Sequence, residues 1–411
     1  MKKSKPVYLD YAASTPLRAE AARAMRAAEC VFGNPSSLHS FGQAARTVMD
    51  KAREKTAAAI GADFREVIFT GSATEANNLA LRGVVKAYQR KSAAGIGVNQ
   101  RPKLIVSAIE HESVLTTARD LERSGDAEIV IIPVNRHGIA DIKTLENALD
   151  ERTALVSVMY VNNETGTVQP IAEISKIIRN YKLQTTNYPL FHIDASQALA
   201  YFDCDVNKLG VDLMTLSGHK IGGPRGVGVL FVKNQKSNIK NQNFGNDFIV
   251  PVLAGGDQEF GLRAGTENAA AIAGFAEAAT LAVRERAKNS AHAAHCKELF
   301  LKELKRARVK FTENVPRGGA SPHILNLRFP GLAAEELLVR LDLAGVAVSA
   351  GSACTARAVL PSHVLLAMGM PKREVEESIR ISFGIATAAA EIREAAKRFA
   401  GAVQEMKETR G

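Results

Sequence analysis

The chain has few cysteines for its length, and none of them form a CxxC pair. Its 411 residues contain four cysteines, Cys30, Cys204, Cys296 and Cys354, which lie far apart. This separation argues against a zinc site and against a disulfide framework, because both use cysteines at characteristic spacings. We therefore expect no metal site, and we interpret Cys30, Cys204 and Cys296 as inert packing residues.

The chain also lacks a long uninterrupted hydrophobic run. Its N-terminus, MKKSKPVYLDYAASTP, is basic but is not followed by an apolar signal segment. Glu277 interrupts the alanine-rich stretch 269–283. Both observations argue against a targeting or membrane-spanning segment, so we expect a cytoplasmic protein without membrane contact.

The net charge of +10 permits attraction to nucleic acid or to an acidic protein. The basic clusters KAYQRK and KRARVK, however, contain few aromatic residues and match no nucleic-acid-binding motif. We interpret them as solvated surface and expect no direct binding of nucleic acid. A non-catalytic basic module that binds RNA or an acidic partner is the alternative from a different class.

Seven short apolar runs alternate with segments of helical spacing. This alternation predicts an α/β fold with a mainly parallel sheet and helices on both faces. The length and the 46% hydrophobic content are enough for two domains with sizeable cores. The runs are EVIFT, KLIVSAI, EIVIIPV, ALVSVMYV, LFHIDA, VDLMTLS and GVGVLFV.

One lysine, Lys220, stands among glycines in SGHKIGGPRGVG, directly after the sixth apolar run. That run predicts a buried strand, which places Lys220 at the carboxyl end of a strand. In open α/β sheets ligands bind at this edge, and a partly desolvated amine there is a nucleophile toward a carbonyl. A solvated surface lysine is the alternative.

Polar residues follow other strands at the same position. A glycine turn after the first run leads into a predicted helix, whose N-terminus suits a phosphate and where Thr74 adds a hydroxyl. His111, Asn163 and Asp194 follow the second, fourth and fifth runs, and they suit stacking on a ring, donation to a ring substituent and pairing with a pyridinium nitrogen. Each also fits ordinary capping, loop or turn chemistry. Together with Lys220 they describe a pyridoxal 5′-phosphate site.

The order of the motifs resembles that of cysteine desulfurases, which belong to the class V aminotransferase group of pyridoxal-phosphate enzymes. The resemblance spans nearly the whole chain. It implies a fold type I homodimer that converts L-cysteine to L-alanine and keeps the sulfur as an enzyme persulfide. The motifs are YLDYAASTP, FGNPSSLH, FTGSATEANN, EHESV, VNNETGTVQP, HIDASQ, SGHKIGGPRGVG, LRAGTEN and SAGSACTA.

The resemblance also implies roles for individual residues. Lys220 is the expected Schiff-base lysine, His111 stacks on the cofactor ring and assists catalysis, and Asp194 pairs with the ring nitrogen. The other expected cofactor contacts are Asn163 and Gln197 to the oxygen substituent of the ring, and Ala73, Thr74, Ser217, His219 and the other subunit's Thr266 to the phosphate.

Cys354 and Arg380 are the expected sulfur carrier and substrate clamp. Cys354 lies among small residues without periodicity, which predicts a mobile surface loop. By resemblance its thiolate takes the substrate sulfur, and the planar guanidinium of Arg380 binds the substrate carboxylate beside Asn163. The length of the loop resembles the subgroup that passes sulfur to separate acceptors, such as an iron–sulfur cluster scaffold or a tRNA-thiolation protein.

Two other reactions on the same fold stay open at this point. A class V transaminase would need Lys220 and the cofactor but not Cys354, and a selenocysteine lyase would need a closely similar site. We place the large cofactor-binding domain at residues 17–286 and a smaller α+β domain at residues 1–16 and 287–411. We assign no function to the polar insertions near 91–102 and 234–247.

Overall fold

A seven-stranded sheet lies at the centre of the computed structural model, which describes residues 5–93, 100–184, 188–233, 248–315, 318–351 and 361–408. The strand order is β2-β8-β7-β6-β5-β3-β4. Of these seven strands only β8 runs opposite to the others. The seven predicted apolar runs are the seven strands, so the predicted mainly parallel sheet is confirmed. The strands are β2 (Val67–Thr70), β3 (Lys103–Ser107), β4 (Glu128–Ile132), β5 (Thr153–Ser157), β6 (Leu190–Asp194), β7 (Leu213–Ser217) and β8 (Gly228–Val232).

Helices cover both faces of this sheet, which explains why its inner strands are apolar at almost every position. One face packs on α3 (Ala73–Ala93) and α4 (Glu112–Arg123). The other face packs on helices that precede and follow these in the chain. Among the described residues, no helix is both long enough and apolar enough to cross a bilayer. The helices of the second face are α1 (Ala19–Glu29), α2 (Ser40–Ile60), α5 (Ile142–Ala148), α6 (Ile171–Gln184), α7 (Val206–Leu209) and α8 (Ala269–Arg284).

The C-terminal part has its own hydrophobic core. A three-stranded antiparallel sheet in the order β12-β10-β9 packs on three helices, and β1 (Val7–Tyr8) pairs in parallel with β11 (Val346–Ala347). Val7 and Leu9 belong to this core, so the N-terminal arm joins the C-terminal part. The domain limits given above stay a prediction. The remaining elements are β9 (Thr312–Glu313), β10 (Ile324–Arg328), β12 (Ser378–Ser382), α9 (Arg286–Arg306), α10 (Ala334–Leu343), α11 (His363–Ala367), α12 (Lys372–Val375) and α13 (Ala389–Glu408).

A buried ion pair between Arg53 and Glu259 joins α2, β2 and the turn that contains Glu259. Arg53 Nη2 lies 2.7 Å from Glu259 Oε1, and the main-chain N–H of Phe69 donates to Glu259 Oε2 at 2.8 Å. The guanidinium also lies over the ring of Phe260, 4.9 Å from its centre. Glu259 and Phe260 both have positive φ angles, 47° and 57°. The ion pair therefore holds a locally strained turn against α2 and β2.

We expect Arg53→Ala to lower the free energy of unfolding by about 3–5 kcal/mol, because it leaves the Glu259 carboxylate buried without its cation. Urea unfolding of the cofactor-free protein, followed by circular dichroism, measures the change. Arg46→Ala is the matched control, since Arg46 on the same helix pairs with Asp50 while its side chain is 71% exposed. This control should change the free energy by less than about 0.5 kcal/mol. Equal effects of the two substitutions would contradict the argument.

Candidate active site

A cavity of about 420 Å3 lies at the carboxyl edge of the central sheet. Its size is in the usual range for a small-molecule site. The strands end in different loops, but because they are parallel those loops meet here. Ten of the predicted residues border the cavity: Ala73, Thr74, His111, Asn163, Asp194, Gln197, Ser217, His219, Lys220 and Arg380.

Two other predicted residues, Thr266 and Cys354, are not among these ten. Thr266 borders a second cavity of about 190 Å3 together with Arg263. Gly226 and Val227 border both cavities, so the two are neighbours. Cys354 lies outside the described residues. The prediction that Thr266 completes the site of another subunit stays a prediction.

The N-terminus of α3 points into the cavity directly after β2. Ser72 Oγ accepts a hydrogen bond from the main-chain N–H of Glu75 at 3.1 Å, as the spacing predicts. The carboxylate of Glu75 accepts from Gly71 N at 2.8 Å rather than from Ser72 N. A Cβ at Gly228 would lie 2.5 Å from the carbonyl carbon of Ser72, so only glycine lets β8 approach the helix so closely. The free N–H groups of this helix end form an anion site.

Asp194 ends β6 and is 5% exposed. Its Oδ1 accepts from the main-chain N–H of Ser196 at 2.9 Å, and its Oδ2 accepts from Asn77 Nδ2 at 2.8 Å. These two donors hold the buried carboxylate in a fixed orientation. It is therefore placed to pair with a cationic ring nitrogen in the cavity.

His111 is the N-cap residue of α4 and borders the cavity at the same time. Its Nδ1 accepts from the main-chain N–H of Ser113 at 3.1 Å and lies 2.8 Å from the Ser113 hydroxyl oxygen. The loop hydrogen bond is found and His111 also borders the cavity, while stacking on a ring there stays a prediction. Capping through one nitrogen fixes the orientation of the ring.

Lys220 lies in a short 3-10 turn between β7 and β8. Its amine donates to the main-chain carbonyls of Ala12 and Ala13, the latter at 2.8 Å, so the N-terminal arm forms one wall of the cavity. Burial, reinforced by the positive charges of Lys220 and Arg225, lowers the pKa of the neighbouring His219 to about 4. At neutral pH His219 thus adds no positive charge beside the lysine.

Arg380 lies on β12, and its side chain is 1% exposed. Its Nη2 is 2.8 Å from Asp10 Oδ1, and its Nη1 donates to the main-chain carbonyl of Asn163 at 2.9 Å. The Nε of Arg380 has no hydrogen-bond partner among the residues that the structure describes. The guanidinium is thus oriented from two sides and retains one buried donor.

The two asparagines of the NNETG turn have different positions. Asn162 is fully buried, and its Oδ1 accepts from the main-chain N–H groups of Glu164 and Thr165, each at 2.9 Å. Asn163 borders the cavity. Turn chemistry, the ordinary interpretation of this motif, therefore belongs to Asn162 and leaves Asn163 for ligand contact. Gln197 donates from Nε2 to the carbonyl of Ala12 at 2.8 Å.

Sequence reasoning did not assign several residues of this region. Ala12, Ala13 and Arg225 border the cavity, whereas Asp10 and Asn77 contact predicted residues from behind. Arg225 and the arm belong to motifs quoted above, so proximity in sequence to Lys220 could have indicated Arg225. Asp10 is separated from Arg380 by 370 positions, and the sequence carries no signal for their contact.

Glu110 is a further unassigned group, fully buried behind His111. Its Oε1 accepts from Ser107 Oγ at 2.5 Å and from the main-chain N–H of Met159 at 2.6 Å. Its Oε2 has no partner among the described residues. Burial, aided by the negative charge of Asp194, raises the pKa of Glu110 to about 8 although both donors oppose the shift. Glu110 is therefore a neutral acid at pH 7.

The three cysteines expected to be packing residues differ in their surroundings. Cys204 and Cys296 are buried, and burial raises the pKa of both thiols, that of Cys204 to about 12. Cys30 is exposed at the C-terminus of α1, so its interpretation as a packing residue is wrong. Within the described ranges, His, Cys, Asp and Glu side chains form no group of three or more arranged to hold a metal ion.

The residues of the cavity fit pyridoxal 5′-phosphate. The N-terminus of α3 suits its phosphate, the Asp194 carboxylate suits its ring nitrogen and the Lys220 amine suits its aldehyde. At Gly226, which has φ +77°, a Cβ would meet no described atom within 4 Å, so the main chain there borders open space in the cavity. Donor types and available space agree with this cofactor.

Comparisons with known proteins agree with the geometry. Residues 7–394 match the family model described as aminotransferase class-V. The chain is 41% identical over 382 residues to the cysteine desulfurase IscS of Dictyoglomus turgidum, covering 93% of this chain and 90% of that protein. Among solved structures, a NifS-like protein is similar with a TM-score of 0.85 at 30% identity, covering 97% and 100% of the two chains. A NifS-like protein from Rickettsia africae has a TM-score of 0.81 at 29% identity, covering 97% and 99%.

We expect Glu110 to contribute a fall in the free energy of unfolding as the pH rises from about 4.5 to about 8, against a rise below about pH 6.5 from His192, His219 and His323, whose pKa values burial lowers. Unfolding lets this carboxyl ionise at its usual pKa of 4.5, whereas the folded protein keeps it protonated up to about 8. Its contribution to the slope reaches about 1.4 kcal/mol per pH unit within this window. Glu110→Gln should remove that slope, since the amide oxygen still accepts both hydrogen bonds but never ionises. Urea unfolding of cofactor-free protein at pH 5–9 tests this.

The control for this experiment is Glu122→Gln, which changes an exposed carboxyl on α4. It should leave the pH dependence of the parent in place. A Glu110→Gln variant with the same pH dependence of stability as the parent would show that Glu110 is ionised in the folded protein.

Proposed function

This chain is a pyridoxal-phosphate-dependent cysteine desulfurase of the class V aminotransferase family, and we propose that its catalytic centre is the cavity at the carboxyl edge of the central sheet. The observation that carries the proposal is the convergence there of the Lys220 amine, the Asp194 carboxylate, the N-terminus of α3 and the Arg380 guanidinium. When bound, pyridoxal phosphate forms an imine with an amine and withdraws electrons from the Cα of the amino acid.

In this proposal the residues of the sheet edge hold the cofactor. Asp194 keeps the ring nitrogen protonated, and the ring of His111 lies against the cofactor ring. Asn163 and Gln197 contact the oxygen substituent of the ring. The phosphate lies at the α3 N-terminus, where Ala73, Thr74, Ser217 and His219 surround it, and the partner subunit's Thr266 adds a hydroxyl.

Lys220 is the proposed acid–base residue. Its amine removes the Cα proton of bound L-cysteine and later returns a proton to the product, and His111 assists in this transfer. The glycines and the proline around Lys220 keep the space beside its side chain free of bulk. The carbonyls of Ala12 and Ala13 give the amine a fixed resting position.

Arg380 is the proposed anchor for the substrate carboxylate. Its two hydrogen bonds, to Asp10 and to the carbonyl of Asn163, hold the planar guanidinium at the wall of the cavity. A substrate carboxylate adds a second anionic partner to this almost fully buried cation, which already pairs with Asp10. Because Asn163 touches both Arg380 and the cavity, it contacts substrate and cofactor.

Cys354 is the proposed sulfur carrier. Its thiolate attacks the sulfur atom of the bound substrate, so that an S–S bond forms while the substrate Cβ–S bond breaks. The electron pair of the broken bond stays with carbon, which takes a proton and becomes the methyl group of L-alanine. The sulfur remains on Cys354 as a persulfide until an acceptor removes it.

Separate acceptor proteins take the sulfur in this proposal, and an iron–sulfur cluster scaffold and a tRNA-thiolation protein are the expected kinds. We place the reaction in the cytoplasm, and we propose a homodimer. Exposed apolar side chains support the dimer: Phe32, Leu38 and Phe41 are 80%, 91% and 56% exposed, and the rings of Phe32 and Phe41 lie 5.1 Å apart. Surfaces of this kind are usually covered by a partner.

We expect Cys354→Ala to keep the bound cofactor and its yellow colour but to release neither sulfide nor alanine from L-cysteine in the presence of a thiol reductant. The substitution removes the group that accepts the sulfur and leaves the cavity intact. Absorption spectra and quantification of both products measure this, with Cys30→Ala as the matched cysteine control that retains activity. An active Cys354→Ala variant would refute the sulfur-carrier role and favour transamination.

We expect Arg380→Lys to lower kcat/KM for L-cysteine by about 10- to 100-fold, because a hydrogen bond to a charged group contributes about 1.5–3 kcal/mol. The loss should appear mainly in KM, since a lysine keeps the charge but not the two-pronged geometry. Steady-state kinetics with parent and variant measures it. Cysteamine lacks the carboxylate. If the substitution lowered kcat/KM for cysteamine as much as for L-cysteine, Arg380 would not be the carboxylate anchor.

A further inference from the structure

Asn77 lies behind the cavity and bridges two of its side chains. It belongs to the first turns of α3 and is fully buried. Its Nδ2 lies 2.8 Å from Asp194 Oδ2 and 2.8 Å from Ser113 Oγ. A carboxylate oxygen accepts a hydrogen bond and an amide nitrogen donates one, so the nitrogen of the amide faces Asp194. An amide nitrogen carries two hydrogens, and this contact pair uses both.

The hydroxyl of Ser113 extends the bridge to His111. The main-chain N–H of Ser113 donates to His111 Nδ1 at 3.1 Å, and since an N–H cannot accept, Nδ1 carries no proton. The Ser113 hydroxyl, 2.8 Å from the same nitrogen, must then be the donor to the ring. Its lone pair accepts from Asn77. The directions of all hydrogen bonds in the chain Asp194–Asn77–Ser113–His111 are thereby fixed.

The tautomer of His111 follows from these directions. The single lone pair of Nδ1 accepts from both Ser113 donors, so the proton of the ring is on Nε2. The nitrogen that exchanges protons is then the one that is not used for capping α4. His111 can release a proton from Nε2 without breaking the bonds that orient its ring.

The carbonyl oxygen of the Asn77 side chain is buried at a cost in free energy. Asn77 Oδ1 is buried and has no hydrogen-bond partner among the described residues. A leucine would occupy nearly the same volume on α3 without an unpaired carbonyl. What an asparagine adds at this position is the pair of donors, and both of them serve groups that border the cavity.

We propose that Asn77 is a positioning residue of the desulfurase reaction, which orients the Asp194 carboxylate toward the cofactor nitrogen and the Ser113 hydroxyl toward His111. This inference rests on the proposed roles of Asp194 and His111. It gives Asn77 no contact with substrate or cofactor.

The first test is cofactor affinity. Asn77→Leu should weaken the binding of pyridoxal phosphate by about 10-fold or more, because Asp194 loses a donor to its charged oxygen in a buried place. Thr117→Ala is the matched control: it removes a hydrogen bond between α4 and α3, from Thr117 Oγ1 to Asn78 Oδ1 at 3.0 Å, that does not reach Asp194. Absorbance titration of each cofactor-free protein with pyridoxal phosphate should place this control within 2-fold of the parent.

The second test measures directly which ring nitrogen of His111 carries the proton. Nitrogen-15 spectra of histidine-labelled, cofactor-loaded parent, with the His111 signals identified from His111→Gln, should show the neutral Nε2–H tautomer at pH 7.5. Ser113→Ala and Asn77→Leu should both shift the Nδ1 resonance, since each weakens the second hydrogen bond to Nδ1. Loss of helical packing alone would not move this resonance in the same direction in both variants.

These outcomes separate the inference from the proposed function. A parent protein that binds no pyridoxal phosphate would overturn the proposed site. A parent that binds it, together with an Asn77→Leu variant of unchanged affinity, would overturn the role of Asn77. A parent whose His111 is protonated on Nδ1 would overturn the bridge even if the Asn77→Leu variant failed to fold.

Discussion

The burial of one carboxylate, that of Asp194, is the constraint on which the arrangement of the site depends. An ionised oxygen away from water needs donors and a cation. Ser196 and Asn77 supply the donors, and in the proposed site a ring nitrogen of the cofactor supplies the positive charge. The position of β6 in the middle of the sheet places this carboxylate at the centre of the carboxyl edge, and the neighbouring strand ends follow around it.

The charges of the remaining groups complement that carboxylate. Burial lowers the pKa of three histidines near the centre, of His192 to about 4, of His219 to about 4 and of His323 to about 3. All three are neutral at pH 7, and Glu110 is neutral as well. The positive charge at the cavity then comes from Lys220, Arg225 and Arg380, which border it. Such a cavity attracts anions, and both a phosphate and an amino-acid carboxylate are anions.

The sequence predicted those parts of the molecule that repeat a local pattern. Each strand is a short apolar run, and Lys220, Asp194 and His111 lie at the ends of such runs, so the rule that parallel strands end at one edge was sufficient to bring these three residues together. Contacts between distant segments have no such pattern. Asp10 meets Arg380 across 370 positions, and Glu110 meets Met159 across 49.

Asn77 illustrates the same limit within one motif. It stands in FTGSATEANN beside residues with assigned roles, but its spacing from the glycine turn says only that it lies on a helix. Which way its amide points is decided by the carboxylate and the hydroxyl that it meets, and these come from β6 and α4. Likewise, the exposure of Cys30 depends on where α1 ends, which composition does not indicate.

The reversed direction of β8 determines on which side of the sheet residues inserted after this strand begin. Gly228 pairs with Ser217 at the carboxyl edge, whereas Val232 pairs with Leu213 at the opposite edge. The chain thus returns from the lysine turn and leaves β8 on the side of the sheet remote from the reaction. Residues added after Val232 start from that side, as do residues added before β3 or before β6. Insertions at these points lengthen the chain on the rim of the sheet opposite the cavity, so the spacing of the residues that border the cavity does not depend on them.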